Sequence, residues 1–131
     1  MIDIRKFSDH LKPVEDGLWA SDQMTEVHWP QAGHLATFNI EGQSLWFQHR
    51  NRCILEIVKS YPPAGPLFDI GGGNGFISMM LRSHGFETVI VEPTSEWVQN
   101  AKSRNLKPII FSPFTKETFK KESLPAIGLF D

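Results

Sequence analysis

The residues best equipped for chemistry in this chain lie in Leu67-Phe68-Asp69-Ile70-Gly71-Gly72-Gly73-Asn74-Gly75-Phe76, where an apolar run delivers an acid into a glycine-rich turn. Glycine tolerates positive φ and lets a ligand lie against the backbone with no Cβ in the way. A helix opening directly behind such a turn aims unpaired N–H groups at whatever sits there. Gly71, Gly73 and Gly75 are therefore candidate ligand contacts, whereas Gly72 is incidental. Asn74 can cap the new helix and face the ligand at once. Asp69 is a strand-end carboxylate, placed where open α/β sheets bind ligands; its ordinary alternative is a turn former.

The ligand is constrained by what the turn lacks. A dinucleotide fingerprint needs a third small residue at the position held here by Phe76, and the third glycine arrives one place early, at Gly75. Asp69 would repel a diphosphate and welcome a cation. No Gly-Lys-Ser/Thr follows, which excludes a P-loop. A second apolar run, Thr88-Val89-Ile90-Val91, ends in Glu92-Pro93, seventeen residues beyond Gly75, and that spacing fits one helix and one turn. A carboxylate there can accept both hydroxyls of a ribose, as the acid about 20 residues on does in dinucleotide folds.

Together, Asp69-x-Gly71-x-Gly73-x-Gly75 and the acid-terminated Thr88–Pro93 run resemble motif I and the following strand of class I S-adenosylmethionine-dependent methyltransferases. The resemblance implies S-adenosyl-L-methionine as cofactor, with Asp69 near its methionine end and Glu92, followed by Pro93, at its ribose. Upstream, Trp46-Phe47-x-x-Arg50-Asn51 resembles a Phe-Trp-Phe-x-x-Arg-Asn segment that precedes motif I in many members. It implies a helix over the methionine end, with Arg50 on the carboxylate and Trp46 on the same face. The bland alternative makes Trp46 and Phe47 core and leaves Arg50 solvated. Members commonly carry an acid just past the third strand, against the adenine amino group. This chain has Phe111-Ser112-Pro113-Phe114 there, so Ser112 is the substitute hydrogen-bonding group. Asp131 stands where the exit of the family's fourth strand carries an acid or amide. The implied activity is methyl transfer to an unidentified small-molecule or macromolecular acceptor, with this chain supplying the cofactor-binding half and no catalytic group assigned. A degenerate, non-catalytic binding or regulatory module and another nucleotide-binding Rossmann enzyme are the rival readings.

The elements that must position these residues follow from pattern. Residues 1–43 show no sustained periodicity and are expected to form an irregular N-terminal extension, with a short strand at Leu35–Ile40. Residues 44–131 are expected to form a helix and a partial domain. The helix is capped by Ser44 and stopped by Pro62-Pro63-Ala64-Gly65-Pro66. Strands are expected at Leu67–Ile70, Thr88–Val91, Pro108–Phe111 and Ala126–Asp131, with helices at Asn74–His84 and Glu96–Arg104 and a short polar helix or turn at Thr115–Glu122. This alternation predicts an α/β, Rossmann-like three-layer sandwich with a parallel sheet; the resemblance implies the order 3-2-1-4, truncated after strand four. An apolar fourth strand at the sheet edge would be covered in a homodimer or by the N-terminal segment.

Composition bounds the rest. A chain of 131 residues with 40% hydrophobic content is expected to be one domain with a real core. A formal net charge of −2 and no basic run give no nucleic-acid footprint. No stretch approaches the roughly 20 apolar residues of a membrane span. The start lacks a signal-peptide core, and the lone Cys53 suits a reducing, cytoplasmic setting. Cys53 is read as a small core residue. The five histidines show no metal-ligand spacing, so no metal is expected.

Overall fold

The structure is a computed structural model and describes residues 1–22 and 40–130. Its centre is a six-stranded sheet in the order β1-β2-β5-β4-β3-β6, built from β1 (Leu11–Glu15), β2 (Leu18–Ser21), β3 (Leu67–Ile70), β4 (Thr88–Glu92), β5 (Ile109–Phe111) and β6 (Ala126–Gly128). All pairs are parallel except the β1–β2 hairpin. The helices are α1 (Leu45–Ser60), α2 (Phe76–Ser83) and α3 (Ser95–Ser103). The four strands expected from the sequence are β3, β4, β5 and β6, and they lie in the expected order. This is a Rossmann-like, mixed α/β arrangement.

The irregular N-terminal extension is corrected for residues 4–21. Ile4–Lys6 form a 3-10 turn and residues 11–21 form a hairpin whose second strand pairs parallel with β5, Leu18 opposite Ile109 and Trp19 opposite Ile110. The expected strand at Leu35–Ile40 lies outside the described residues apart from Ile40, which is helical with Glu41 and opens the 40–44 turn, closed by Ser44 N–H donating to the Ile40 carbonyl at 2.8 Å.

Side chains of a strand alternate between faces, and the register turns that alternation into two layers. Phe68, Val89, Val91 and Ile110 share one face, where Ile4, Leu11, Phe7, Phe119 and Leu124 cover them. Leu67 and Ile90 point the other way, toward the helices. Ile90 and Ile109 pack with Val98 and Ala101 of α3, and Leu67 packs with Ile54, Leu55 and Val58 of α1 and Leu81 of α2. Among the described residues the third layer therefore holds no α-helix: it consists of the N-terminal 3-10 turn and the 113–124 loop, tied by Lys120 N–H donating to the Phe7 carbonyl at 2.8 Å and Ser8 Oγ to the Thr118 carbonyl at 2.6 Å.

One expectation about α1 changes. Its buried stripe is Ile54, Leu55 and Val58, and Cys53 is exposed, one position off that stripe, 3.7 Å from His49. Ile57 in this helix and Tyr61 at its end are also exposed. Edge strand β6 leaves Ile127 half-exposed, opposite Phe68 of β3.

Candidate functional site

The register that faces Leu67 and Ile90 toward the helices does the same to Asp69. Its carboxyl is 2% exposed and accepts a hydrogen bond at 2.8 Å from Ser78 Oγ in the first turn of α2. Burial raises its pKa to about 6; the Ser78 hydroxyl opposes the rise, the Glu92 charge adds to it, and Arg50 opposes it. The chain then turns on three positive-φ glycines, Gly71 (+71°), Gly73 (+51°) and Gly75 (+80°). A residue with a Cβ would cost about 1–2 kcal/mol at each.

The three glycines have different duties. An ideal Cβ on Gly71 meets nothing within 4 Å, so its Cα faces open space. On Gly75 it would sit 2.4 Å from Leu106 Cδ1, so Gly75 is required for close packing of the turn on the α3–β5 connection. Gly73 donates its N–H to Glu92 Oε2 at 2.9 Å. Glu92, 1% exposed, also accepts from Thr94 N–H at 2.8 Å. The acid read as a ribose ligand thus pins the glycine turn to the end of β4, and neither it nor the half-buried Pro93 lines the cavity.

Asn74 does not cap α2; Gly75 holds that position. Its side chain is a brace instead, accepting from Asn100 Nδ2 at 2.8 Å and donating to Glu41 Oε2 at 3.3 Å. Arg104 Nη1 adds a 3.3 Å bond to the Asn74 carbonyl and lies over the Phe76 ring at 4.1 Å.

These groups surround a cavity of about 160 Å³ at the C-terminal end of β3, between the turn and α1. Phe47 and Arg50 reach it from α1, Trp97 from α3 and Glu41 from the 40–44 turn. The Arg50 guanidinium lies 4.8 Å from the Phe47 ring and 5.4 Å from the Trp46 ring, and its buried Nε has no hydrogen-bond partner among the described residues. Trp46 itself is largely exposed and does not line the cavity. Burial raises the Glu41 pKa; the Asn74 hydrogen bond and the charges of Arg50 and Arg104 oppose the rise.

Of the residues singled out from the sequence, Asp69, Gly71, Gly73, Asn74 and Arg50 meet at one cavity. Ser112 does not join them: it lines a second cavity of about 290 Å³ with Ser21 and Thr118, its hydroxyl bonded to Ser21 Oγ at 2.9 Å. Asp131 lies outside the described residues. Glu41, Ser78 and Trp97 were missed. Trp97 is a large apolar residue in an otherwise polar helix start, which was a usable signal; nothing in the sequence brings Glu41 to the turn.

This donor set combines both signs of charge: a guanidinium whose Nε–H has no partner among the described residues, two carboxylates on different walls and a glycine backbone open to approach. Among the described residues no group of three or more His, Cys, Asp or Glu could hold a metal ion, and no helix is long and apolar enough to cross a membrane.

No protein-family model matches the chain, and no curated protein matches it. Among solved structures the chain is similar to Streptomyces venezuelae DesVI, at 18% identity and a TM-score of 0.48, over 73% of this chain and 40% of that one. It is also similar to the SAM-bound amino pentose methyltransferase CalS10 from Micromonospora echinaspora, involved in calicheamicin biosynthesis, at 21% identity and a TM-score of 0.44, over 75% of this chain and 40% of that one. The chain thus spans about 40% of the length of these two proteins.

Proposed function

We propose that this chain binds S-adenosyl-L-methionine across the Gly71–Gly73 turn and acts as the cofactor-binding half of a methyltransferase of unidentified acceptor. The observation that carries the reading is the placement of Asp69, Arg50 and the open Cα face of Gly71 on one cavity beyond β3. The residues suit the cofactor. Arg50, whose Nε has no hydrogen-bond partner among the described residues, would take the methionine carboxylate; Asp69 would face the cationic end; the bare glycine backbone would let the amino-acid part lie close.

When bound, the cofactor supplies a methyl group on a sulfonium, open to in-line attack by a nucleophile. The chain's contribution is positioning. Glu92 fixes the turn through Gly73 and Thr94 N–H, Ser78 holds the Asp69 carboxyl, and the Phe47 and Trp46 rings hold the guanidinium. No general base is assigned. A non-catalytic binding module is the second reading, favoured by Ser112 lining a cavity other than the one that Asp69 and Arg50 share.

Calorimetric titration with S-adenosylmethionine, S-adenosylhomocysteine and NAD tests the proposal. Micromolar binding of the two adenosyl ligands, absent for NAD and lost in Asp69→Ala, is the expected result. A ligand at 100 times its Kd would also stabilise the fold by about 2.7 kcal/mol. Binding of NAD alone would refute the reading.

A further inference from the structure

Asn74 is 3% exposed, and both ends of its side-chain amide are bonded. Its Oδ1 accepts from Asn100 Nδ2 at 2.8 Å, and its Nδ2 donates to Glu41 Oε2 at 3.3 Å. Asn100 belongs to α3, Asn74 to the glycine turn and Glu41 to the 40–44 turn, and Glu41 and Asn74 both line the cavity of Asp69 and Arg50. Burial disfavours the Glu41 charge, while the Asn74 hydrogen bond and the charges of Arg50 and Arg104 favour it. Arg104, one helical turn beyond Asn100, also donates Nη1 to the Asn74 carbonyl at 3.3 Å. An amide has one donor end and one acceptor end, and an ionised carboxylate only accepts. Glu41 therefore takes the NH2 of Asn74, which leaves the Asn74 oxygen toward residue 100 and obliges that residue to donate.

Resting on the cofactor reading above, we infer that Asn100 is a positioning residue: its NH2 sets the polarity of the Asn74 amide, and so holds Glu41 and the 40–44 turn as a wall of the cofactor cavity. The direction of this relay can be reversed chemically. Asn100→Asp keeps the shape and replaces the donor with acceptors, so Asn74 must turn its NH2 to residue 100 and its oxygen to Glu41. Two acceptors then face each other in a buried place, and the turn is pushed off the wall. Glu41→Gln supplies a donor for the turned amide, so the two substitutions together complete the relay in the opposite sense.

The test measures the effect of Asn100→Asp at pH 8 with Glu41 intact and again with Glu41→Gln, so that any charge Glu41 contributes to ligand binding cancels. The readouts are the Kd of S-adenosylhomocysteine, ligand-free exchange of the Gln43 and Ser44 amides, which donate to the Ile40 carbonyl at 3.0 and 2.8 Å, and the NOE partners of the Asn74 NH2. With Glu41 intact, Asn100→Asp is expected to weaken the ligand about tenfold and speed exchange about tenfold; with Glu41→Gln each effect falls below about twofold. In both backgrounds the Asn74 NH2 should leave residue 41 for residue 100. Equal losses in the two backgrounds, as from a merely structural Asn100, no loss with Glu41 intact, or an NH2 that stays on residue 41 would overturn the inference and leave the cofactor reading standing. Failure of the unaltered chain to bind the ligand would overturn both. Should Asn100→Asp not fold, recovery of folding with Glu41→Gln supports the relay, and its absence overturns it.

Discussion

Asp69→Asn should stabilise this protein at pH 8 and leave it nearly unchanged at pH 4. The native carboxyl titrates at about 6 against an ordinary value of 3.8, because it is buried beside the turn with Glu92 nearby. At 1.4 kcal/mol for each tenfold change, holding it ionised above that range costs the fold about 3 kcal/mol. The sign follows from linkage. Between 3.8 and about 6 the native state holds a proton that the unfolded chain has released, so stability falls as pH rises through this window and stays lower above it. Asparagine removes the charge, keeps the shape and can still accept from the Ser78 hydroxyl, now bonded at 2.8 Å. Imperfect placement of the new NH2 would return about 1 kcal/mol, leaving a gain of about 2 kcal/mol at pH 8. Urea unfolding of both proteins at pH 4, 5, 6, 7 and 8 measures it, read as the difference between them so that other groups cancel. A difference that stays flat across this range, or a variant less stable at pH 8, would rule out a burial penalty on the Asp69 carboxylate. The variant should also lose the cationic ligand, so stability and binding move in opposite directions, as expected of a strained functional carboxylate.

Gly75→Ala should cost about 2–4 kcal/mol, combining positive-φ strain with a Cβ 2.4 Å from Leu106 Cδ1, whereas Gly71→Ala should cost about 1 kcal/mol because its Cβ meets nothing. Chemical denaturation ranks the two, and the Gly71 variant is expected to be the one that folds well yet binds adenosyl ligands poorly. Glu92→Gln, which sets an NH2 against one of two backbone donors at 2.9 and 2.8 Å, should cost about 1–3 kcal/mol and speed amide exchange at Gly73. Cys53, exposed on α1, should react stoichiometrically with a thiol reagent in the native protein, and Cys53→Ser should alter stability by less than about 0.5 kcal/mol.

The parallel core was legible because its strands are short, mainly apolar runs bounded by strong breakers. Leu67–Ile70 sits between a proline-rich stop and a glycine turn, and Thr88–Glu92 between Gly85 and Pro93. The β1–β2 hairpin was not, since Leu18-Trp19-Ala20-Ser21 is only four residues long with no clear alternation, and Pro13 blurs its partner. The Asp16-Gly17 pair between them was the available hairpin signal, and Gly17 does take φ +77°. Within the site, type and spacing located the glycines and Asp69, whose places depend on local backbone. Glu92 was found as an acid at a strand end, but its task is set by Gly73 N–H, nineteen residues earlier in the chain and reachable only after folding. Cys53 failed for a simpler reason. Helical periodicity fixes a stripe, and a residue beside Ile54 cannot tell from sequence alone which side of that stripe meets the neighbouring helix.

A ligand lying against the glycine turn would change the surroundings of its backbone amides. Backbone amide NMR during titration with S-adenosylmethionine reads that turn directly. The amides of Gly71, Gly72, Gly73 and Asn74 are expected to shift together and saturate at a single dissociation constant, with the Arg50 Nε–H resonance moving in step. Saturating shifts confined to the Ser21–Ser112–Thr118 cavity, or no shift in the turn at millimolar ligand, would contradict binding at the turn.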